Sequence, residues 1–447
     1  MRFDDGDDDW DAEGFADLAS GVAAAFLCGD WTAAGMLERA RDALEDAGGW
    51  LDGLVARARA AFPQRPDPED ETLASFLVED EALMDRWQEG GLELRTRYLV
   101  APEMRTPRRF AVPELRGLRD VAAWLRLDVG TLEWLADAEG WLAREPDGPL
   151  QHYRYHRLRK RSGGARVVEA PKEALKSVQR AILRRILDAV PPHDAAHGFR
   201  KGRSILSFVE PHCARDLVVR MDLRHFFPSV GAARVAATFR ALGYPRGAAS
   251  LLASLLTTRT PDAVLEGGGL DPGALARLRR RHLPQGAPTS PAMANLCAYG
   301  LDVRLSAAAA AVSASYTRYA DDLAFSGGPE FREQAGRFRR LVVRIVAEEG
   351  FDVHWRKTRW MRPCSQQRLT GLVLNHRPRP SRAEFDRLKA TLHNCARHGP
   401  AGQNRDGHAD LRAHLAGRVA WFHHVDPRRG ERLRALFERI AWDEQEG

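Results

Sequence analysis

The stretch YTRYADDLAFSGG, residues 316–328, places two adjacent carboxylates, Asp321 and Asp322, inside an otherwise apolar run with the texture of a β-strand. Aspartate is depleted in strands, and the side-chain alternation of a strand would bury one member of the pair. A buried carboxylate must be paired, protonated or bound to a cation. The stretch therefore indicates a cation site whose other ligands lie elsewhere in the chain.

Composition indicates a globular protein of the reducing cytoplasm. The chain has 447 residues and a hydrophobic share of 44%, which allows two or three domains with real cores. No apolar run reaches the roughly 18 residues of a transmembrane helix, and the acidic start MRFDDGDDDWDAEG has the wrong charge for a signal or transit peptide. The five scattered cysteines lack a CxxC pair, which argues against disulfides and zinc knuckles.

Charge is unevenly distributed along the chain. The formal net charge is +6, and basic stretches at 154–166, 277–282, 354–360 and 377–382 all follow an acidic N-terminal part. Such a basic body favours a polyanionic partner. A solvated, arginine-rich surface would give the same pattern, so charge alone leaves both interpretations open.

Periodicity changes near residue 150. Residues 11–60 and 115–142 have helical spacing of apolar side chains, and a Pro-rich stretch at 101–114 separates them. Short strands rich in Val and Leu follow at 166–171 and 216–223 and alternate with helical segments. The mixture predicts an α/β or α+β fold.

A third carboxylate, Asp222, lies at the end of the predicted strand DLVVRMDL (216–223). If that strand neighbours the 316–328 stretch, three carboxylates would share one pocket. Oxygen ligands of this kind suit Mg²⁺ rather than zinc, and two such ions about 3.5–4 Å apart can clamp the oxygens of a phosphoryl transfer. Taken alone, however, such aspartates more often belong to surface turns.

The segment LPQGAPTSPAMANL (283–296) is the third notable element. Gly286 permits a close backbone approach, and Ser290 with Pro291 forms a good start for the helix that follows. Gln285 falls on the loop before that helix. By itself the segment predicts only a plain helix start.

In this order and spacing the three elements resemble the palm of a reverse transcriptase. MDLRHFFPS (221–229) resembles the family's first aspartate motif, QGAPTSPAMAN (285–295) its glycine loop and helix, and YADD (319–322) its signature hairpin. The resemblance covers roughly residues 115–447.

The resemblance implies an α+β, right-hand polymerase fold. Its parts would be N-terminal helices and fingers at 111–215, a palm with the catalytic aspartates at 216–375, and a helical thumb at 376–447. Residues 1–110 would form a helical extension whose role the sequence does not indicate.

Residue by residue, the resemblance implies a metal site. Asp222, Asp321 and Asp322 would be the catalytic, metal-binding triad for two Mg²⁺ ions, with Mn²⁺ as an alternative and Asp222 and Asp321 as the main ligands. Lys357, in HWRKTRW (354–360), takes the place of a lysine that can protonate pyrophosphate, although a solvated lysine is the alternative.

The resemblance also implies contacts to dNTPs. Phe227 would clash with a ribonucleotide 2′-OH, although one of Phe226 and Phe227 is expected in the core. Gln285 would lie along the incoming nucleotide. Arg166 and Lys160, in a hairpin of the fingers, would grip the triphosphate, since both neutralise charge and arginine adds bidentate geometry.

Four further residues are implied contacts to nucleic acid. Arg200 and Lys201 belong to the fingers motif HGFRKGRSI (197–205) and would contact template or nucleotide. Tyr319 would face the primer end. His212 is what remains, in FVEPH (208–212), of the Asn-Ala-x-x-His motif found in retron reverse transcriptases.

Smaller signs identify the subfamily as retron-type bacterial reverse transcriptases. RLTGLVLN (368–375) resembles their VTG element, with Leu369 in place of Val. Such an enzyme would prime from an internal guanosine 2′-OH of a cognate structured noncoding RNA and make branched RNA–DNA, called msDNA. Its other expected partner is a separate effector protein in defence against phage.

Two alternatives remain open from the sequence. One is another bacterial reverse transcriptase, intron-derived, abortive-infection or defence-associated, although the chain leaves no room for an endonuclease, RNase H or long maturase domain. The other is an inactive RNA-binding scaffold, against which the three intact aspartates argue. An adjacent inverted-repeat noncoding gene would separate a retron from the first alternative.

Overall fold

The computed structural model describes residues 11–46, 48–68, 70–98, 104, 110–144, 148–160, 163–266 and 268–442. Most of the acidic start, at residues 1–10, and most of the Pro-rich stretch at 101–109 lie outside the described residues. Among the described residues, no helix is both long and apolar enough to cross a bilayer.

Runs of helices and runs of strands both occur after residue 150, which confirms the α+β class. The helices are Ala12–Leu27 (α1), Ala33–Leu44 (α2), Trp50–Ala61 (α3), Thr72–Val78 (α4), Glu81–Gln88 (α5), Leu118–Leu125 (α6), Val129–Ala136 (α7), Glu173–Arg185 (α8), Ile205–Val209 (α9), Ala232–Ala241 (α10), Arg246–Leu256 (α11), Asp262–Leu265 (α12), Pro272–Leu278 (α13), Ser290–Cys297 (α14), Tyr299–Ala310 (α15), Pro329–Glu348 (α16), Arg382–His398 (α17), Leu411–Val425 (α18) and Pro427–Phe437 (α19). The strands are Tyr153–Arg159 (β1), Ala165–Pro171 (β2), Leu217–Arg224 (β3), Ser315–Tyr319 (β4), Asp322–Gly327 (β5), Asp352–Val353 (β6), Arg359–Met361 (β7), Arg368–Leu369 (β8), Leu372–Val373 (β9) and Arg379–Pro380 (β10).

The chain forms two compact units. The first contains the described residues of 1–108, 114–126 and 240–249. Its core is built by the apolar faces of α1 to α5, with Val22, Phe26 and Leu54 fully buried. The N-terminal helices therefore have a core of their own. The unit also includes two segments that the predicted division at residue 110 assigned elsewhere, so the predicted domain boundaries remain a prediction.

The second unit is organised around β3. The sheet order is β4-β5-β3-β6, with β7 also paired to β3. Six of the eight residues of β3 are buried, because α16 packs on the sheet and Val218 joins a cluster with Phe208 and Leu372. A strand covered in this way reads as a nearly continuous apolar run, which makes the carboxylate of Asp222 exceptional.

Two further parts of this unit complete the polymerase-like arrangement. Strands β1 and β2 form an antiparallel hairpin in register Tyr153↔Pro171, and its turn contains Gly163 and Gly164, both with positive φ. Helices α17, α18 and α19 share a separate cluster that includes Leu388, Leu392 and Phe422. These parts correspond to the predicted fingers hairpin and the predicted helical thumb.

Candidate active site

The register of the central sheet brings the three predicted aspartates together near one end of strands β3 and β5. Asp222 on β3 is the direct antiparallel partner of Asp322 on β5. Tyr319 pairs with Asp322 across the β4–β5 hairpin, which leaves Ala320 and Asp321 as the turn. The backbone N–H of Leu223 donates to the carbonyl oxygen of Asp321 at 2.8 Å. The strand that carries Asp222 therefore neighbours the 316–328 stretch, as the predicted pocket of three carboxylates requires.

The hairpin turn is tightly constrained. Ala320 has φ of 53°, a left-handed conformation that tight two-residue hairpins require and that costs a non-glycine residue energy. Gly198 lies against this turn, and a Cβ added there would be 2.8 Å from the backbone nitrogen of Ala320. The absence of a side chain at Gly198 therefore lets the predicted fingers motif support the turn directly.

A buried ion pair also stabilises the β4–β5 hairpin. The guanidinium of Arg318, fully buried, donates to both carboxylate oxygens of Asp302 at 2.8 and 2.6 Å. It also donates to Asn295 Oδ1 at 2.9 Å and to the carbonyl oxygen of Ala320 at 3.1 Å. Asn295 in turn donates to the carbonyl oxygen of Gly198 at 2.9 Å. The network thus connects α14, α15 and the fingers motif to the Asp321 turn.

Two cations hold two of the three carboxylates. Lys357 Nζ donates to both oxygens of Asp222, at 2.9 and 3.0 Å. Arg220 donates to both oxygens of Asp322, at 2.8 and 3.0 Å. Burial, together with the negative charges of Asp222 and Asp322, raises the pKa of Asp321 to about 6. Crowded carboxylates of this kind need positive charge nearby.

The donor set fits a hard divalent cation, although the side chains do not already enclose one. In the described part of the chain, no three acidic, histidine or cysteine side chains converge closely enough to hold an ion. Lys357 contacts both carboxylate oxygens of Asp222, and Arg220 contacts both of Asp322. Asp222 and Asp321 remain the residues predicted to hold a metal here.

The Gln285 loop is anchored to the fingers hairpin. The carbonyl oxygen of Gln285 accepts from the backbone N–H of Glu169 at 2.9 Å. Gly286 has φ of 144°, and an added Cβ would lie 2.7 Å from the carbonyl oxygen of Glu169. The predicted close backbone approach at Gly286 is confirmed, and its partner is strand β2.

A buried pair lies behind this loop. His282 Nε2 is 2.9 Å from Glu169 Oε2, and its Nδ1 is 2.8 Å from the carbonyl oxygen of Arg280. The hydroxyl of Thr260 donates to Glu169 Oε1 at 2.7 Å. Because both ring nitrogens face acceptors, the imidazole satisfies both only as a doubly protonated cation.

The remaining predicted nucleotide contacts are accessible. Arg166 is exposed on β2, and Lys160 is half-buried beside the hairpin turn. Phe226 is buried against Phe351, with ring centroids 5.5 Å apart, whereas Phe227 is half-exposed. The expectation that one of the two rings belongs to the core is therefore confirmed for Phe226.

Three of the four predicted nucleic-acid contacts lie at accessible positions. Lys201 is exposed, and Arg200 is half-buried and paired with Asp194 at 3.3 Å. Tyr319 is half-buried, with its ring centroid 6.1 Å from that of the exposed Phe199.

His212 is different, and the prediction that it contacts nucleic acid is wrong. The side chain is fully buried, and its two ring nitrogens lie 2.7 Å from Ser326 Oγ and 2.7 Å from Thr317 Oγ1. Burial, with smaller effects from Arg215 and His197, lowers the pKa of the imidazole to about 3. The neutral ring therefore bridges Thr317 on β4 and Ser326 on β5.

Several charged residues that hold the site in place were not predicted from the sequence. Arg220, Arg318 and Asp302 lie among apolar neighbours, and a charge in such a run is itself a sign of a buried partner. Glu169 in RVVEAP gives the same sign. The sequence does not indicate which charged residues pair with each other. Arg220 and Asp322, for example, are 102 residues apart in the chain.

Comparisons with known proteins agree with this geometry. The family described as reverse transcriptase (RNA-dependent DNA polymerase) matches residues 158–379. The chain is 39% identical over 345 residues to the Retron Mx65 reverse transcriptase of Myxococcus xanthus, covering 76% of each chain.

Two more relatives extend the comparison. Identity to the Retron Mx162 reverse transcriptase of the same organism is 37%, over 73% of this chain and 67% of the relative. Identity to the Retron Ec86 reverse transcriptase of Escherichia coli is 30%, over 64% of this chain and 80% of the relative. With the right-hand polymerase fold, the chain therefore belongs to the retron reverse transcriptases, a family of RNA-directed DNA polymerases.

Proposed function

We propose that this polymerase copies a structured noncoding RNA encoded beside its own gene and starts from the 2′-OH of an internal guanosine in that RNA. The product is a branched RNA–DNA molecule, msDNA. The observation that carries the proposal is the register in which Asp222 faces Asp322 with Asp321 in the adjoining turn. The RLTGLVLN segment supports the retron-specific part.

The residues around Asp222, Asp321 and Asp322, which we call the catalytic edge, have separate roles. Asp222 and Asp321 are the main metal ligands, and Arg220 fixes the orientation of Asp322 through two hydrogen bonds. Two Mg²⁺ ions, with Mn²⁺ as a substitute, would supply charge neutralisation and activation of the attacking hydroxyl. Lys357, which contacts Asp222, would donate a proton to the leaving pyrophosphate.

Nucleotide selection falls to residues around this edge. The half-exposed ring of Phe227 excludes a ribose 2′-OH, and Gln285 lies along the incoming nucleotide on a loop fixed to β2. Arg166 and Lys160 bind the triphosphate, and Arg200, Lys201 and Tyr319 contact template or primer. The support is their accessibility and the chemistry of their side chains.

The biological setting is part of the same proposal. The enzyme works in the cytoplasm with its noncoding RNA, and a separate effector protein joins the complex in defence against phage. The support is the family itself and the reduced cysteines, since none of the five cysteines is in a disulfide.

The test is to express the protein with its native flanking DNA and to analyse the bound nucleic acid on a denaturing gel before and after RNase or DNase. We expect a discrete DNA band that RNase shortens without removing and that a 2′,5′-specific debranching nuclease shifts. The double variant Asp321→Ala/Asp322→Ala should give no DNA. The matched control Asp406→Ala, at an exposed carboxylate far along the chain in the thumb region, should behave as wild type.

Other results would count against specific parts of the proposal. Equal amounts of RNA and no DNA in wild type and double variant would indicate an RNA-binding scaffold. DNA that the debranching nuclease leaves unchanged would rule out priming from a 2′-OH. A wild-type band insensitive to RNase would rule out the covalent RNA–DNA link.

A further inference from the structure

A concave basic surface lies at the end of β3 that is remote from the aspartates. It is a cavity of about 430 Å³ lined by α16, β7 and the segment after β7, with Arg332, Gly336, Trp360 and Arg362 among its residues. Leu217, the first residue of β3, also lines it. Asp222 lies five positions further along the strand, which at about 3.3 Å per residue places the cavity roughly 16 Å from the catalytic edge.

The cavity combines positive charge with an exposed aromatic ring. Trp360 is 39% exposed, and the guanidinium carbon of Arg339 lies 5.9 Å from its ring centroid. The described residues that line the cavity include two arginines and no acid. Within the described part of the chain, neither Arg332 nor Arg362 forms an ion pair. This charge is therefore available to an external anion.

We propose that this cavity binds an unpaired segment of the enzyme's RNA, with a base stacked on Trp360 and phosphates held by Arg332 and Arg362. Proteins read RNA mainly at unpaired bases, which stack on aromatic rings, while arginine binds phosphate with two parallel hydrogen bonds. The inference rests on the proposed function, because it takes the structured RNA as the ligand. RNA is the occupant rather than the DNA product, because the RNA must be held before any DNA exists.

Gly336 allows the cavity to be blocked without disturbing the fold. It lies within α16 and lines the cavity, and an added Cβ would meet no atom within 4 Å. Gly336→Glu therefore places a carboxylate in the cavity, and Gly336→Ala is the matched control. Both substitutions should fold, because a helix interior favours either residue over glycine.

The experiment uses the RNA that copurifies with the full-length protein, sequenced and transcribed in vitro, in filter-binding titrations at several salt concentrations. We expect Gly336→Glu and Trp360→Ala each to weaken binding about tenfold or more. Arg332→Ala and Arg362→Ala should each reduce the slope of log affinity against log salt by about 1. Gly336→Ala should bind as wild type. So should Arg344→Ala, which removes an exposed charge of the same helix that pairs with Glu348.

Extension of oligo(dT) on poly(rA) reports the catalytic edge separately. All these variants should extend it at the wild-type rate, and ultraviolet crosslinking of the native complex should place a ribonucleotide on the peptide that contains Trp360. A wild-type enzyme that neither extends oligo(dT) nor yields RNA-linked DNA when it is expressed with its flanking DNA would overturn the proposed function and, with it, this inference. Normal extension with unchanged RNA affinity in Gly336→Glu would overturn the inference alone. A deoxyribonucleotide adduct at Trp360, or variants that lose RNA binding and extension together, would also overturn it.

Discussion

His282 and Glu169 form a charged pair in the interior behind the Gln285 loop. Burial alone would lower the pKa of His282, but the charge and hydrogen bond of Glu169 outweigh it, so the pKa is raised above its usual value. Arg281 opposes this effect, and Thr260 adds a hydrogen bond to Glu169. A raised folded-state pKa means that folding stabilises the protonated ring.

The pair predicts a pH dependence of stability. Its contribution should be complete below the unfolded-state pKa of about 6.5 and should be lost as pH rises through the raised folded-state pKa. We expect His282→Gln to lose about 3 kcal/mol at pH 6, since it leaves a buried carboxylate without its partner, and to show a flatter profile above pH 6.5. Urea unfolding at several pH values measures both, and parallel profiles for wild type and variant would contradict the prediction.

We expect the Phe227 side chain to determine the selection of dNTPs over ribonucleotides. Removing the half-exposed ring in Phe227→Ala should open space for a 2′-OH and raise the kcat/KM ratio of UTP to TTP on poly(rA) by roughly tenfold or more. Phe227→Tyr keeps the ring and is the matched control. A ratio that stays at the wild-type value in both variants would show that another residue excludes the ribose hydroxyl.

The β4–β5 hairpin depends on an ion pair that neither of its aspartates contacts. Arg318 and Asp302 are both fully buried, and Arg318 also binds the carbonyl oxygen of Ala320 in the turn. Tyr316 donates to the same carboxylate at 2.8 Å. The hairpin is thus positioned by α15, while its left-handed residue is fixed by a hydrogen bond.

Asp302→Asn should destabilise the chain by about 3–5 kcal/mol, because it leaves a buried guanidinium without its counter-charge. The double variant Arg318→Met/Asp302→Leu should recover much of that stability, since apolar residues of similar volume replace the pair. The kcat of the double variant should still be lower than that of the wild type by roughly tenfold, because the hydrogen bond from residue 318 to the carbonyl oxygen of Ala320 is lost. Chemical unfolding and primer extension measure the two effects. Full kcat in the double variant would show that the pair serves stability only.

The whole chain combines segments that are distant in sequence. The unit that contains the N-terminal helices also includes residues 114–126 and 240–249, with Arg240 paired to Asp70. A cut at residue 108 therefore separates parts of one unit. We expect deletion of residues 1–108 to expose buried residues such as Val121 and Tyr244 and to lower the soluble yield several-fold.

Soluble yield and binding of a hydrophobic dye measure this outcome. Arg240→Ala is the control, because loss of one surface ion pair should change stability by less than about 1 kcal/mol. A truncated protein as soluble and as free of dye binding as the full chain would show that the two later segments do not need the N-terminal helices.

The sequence by itself determined the family and the α+β class, and it predicted that Asp222, Asp321 and Asp322 lie together, because each motif is a short, continuous run whose chemistry is local. It also determined that Gly286 needs a close backbone approach and that one of Phe226 and Phe227 is buried. Only the tertiary structure decided that His212 is buried and which cations hold the carboxylates. Lys357 and Asp222 are 135 residues apart, and His212 and Ser326 are 114 residues apart. Such pairs arise from strand register and helix packing, which bring together side chains that are distant in the chain. The local sequence around each residue therefore does not indicate its partner.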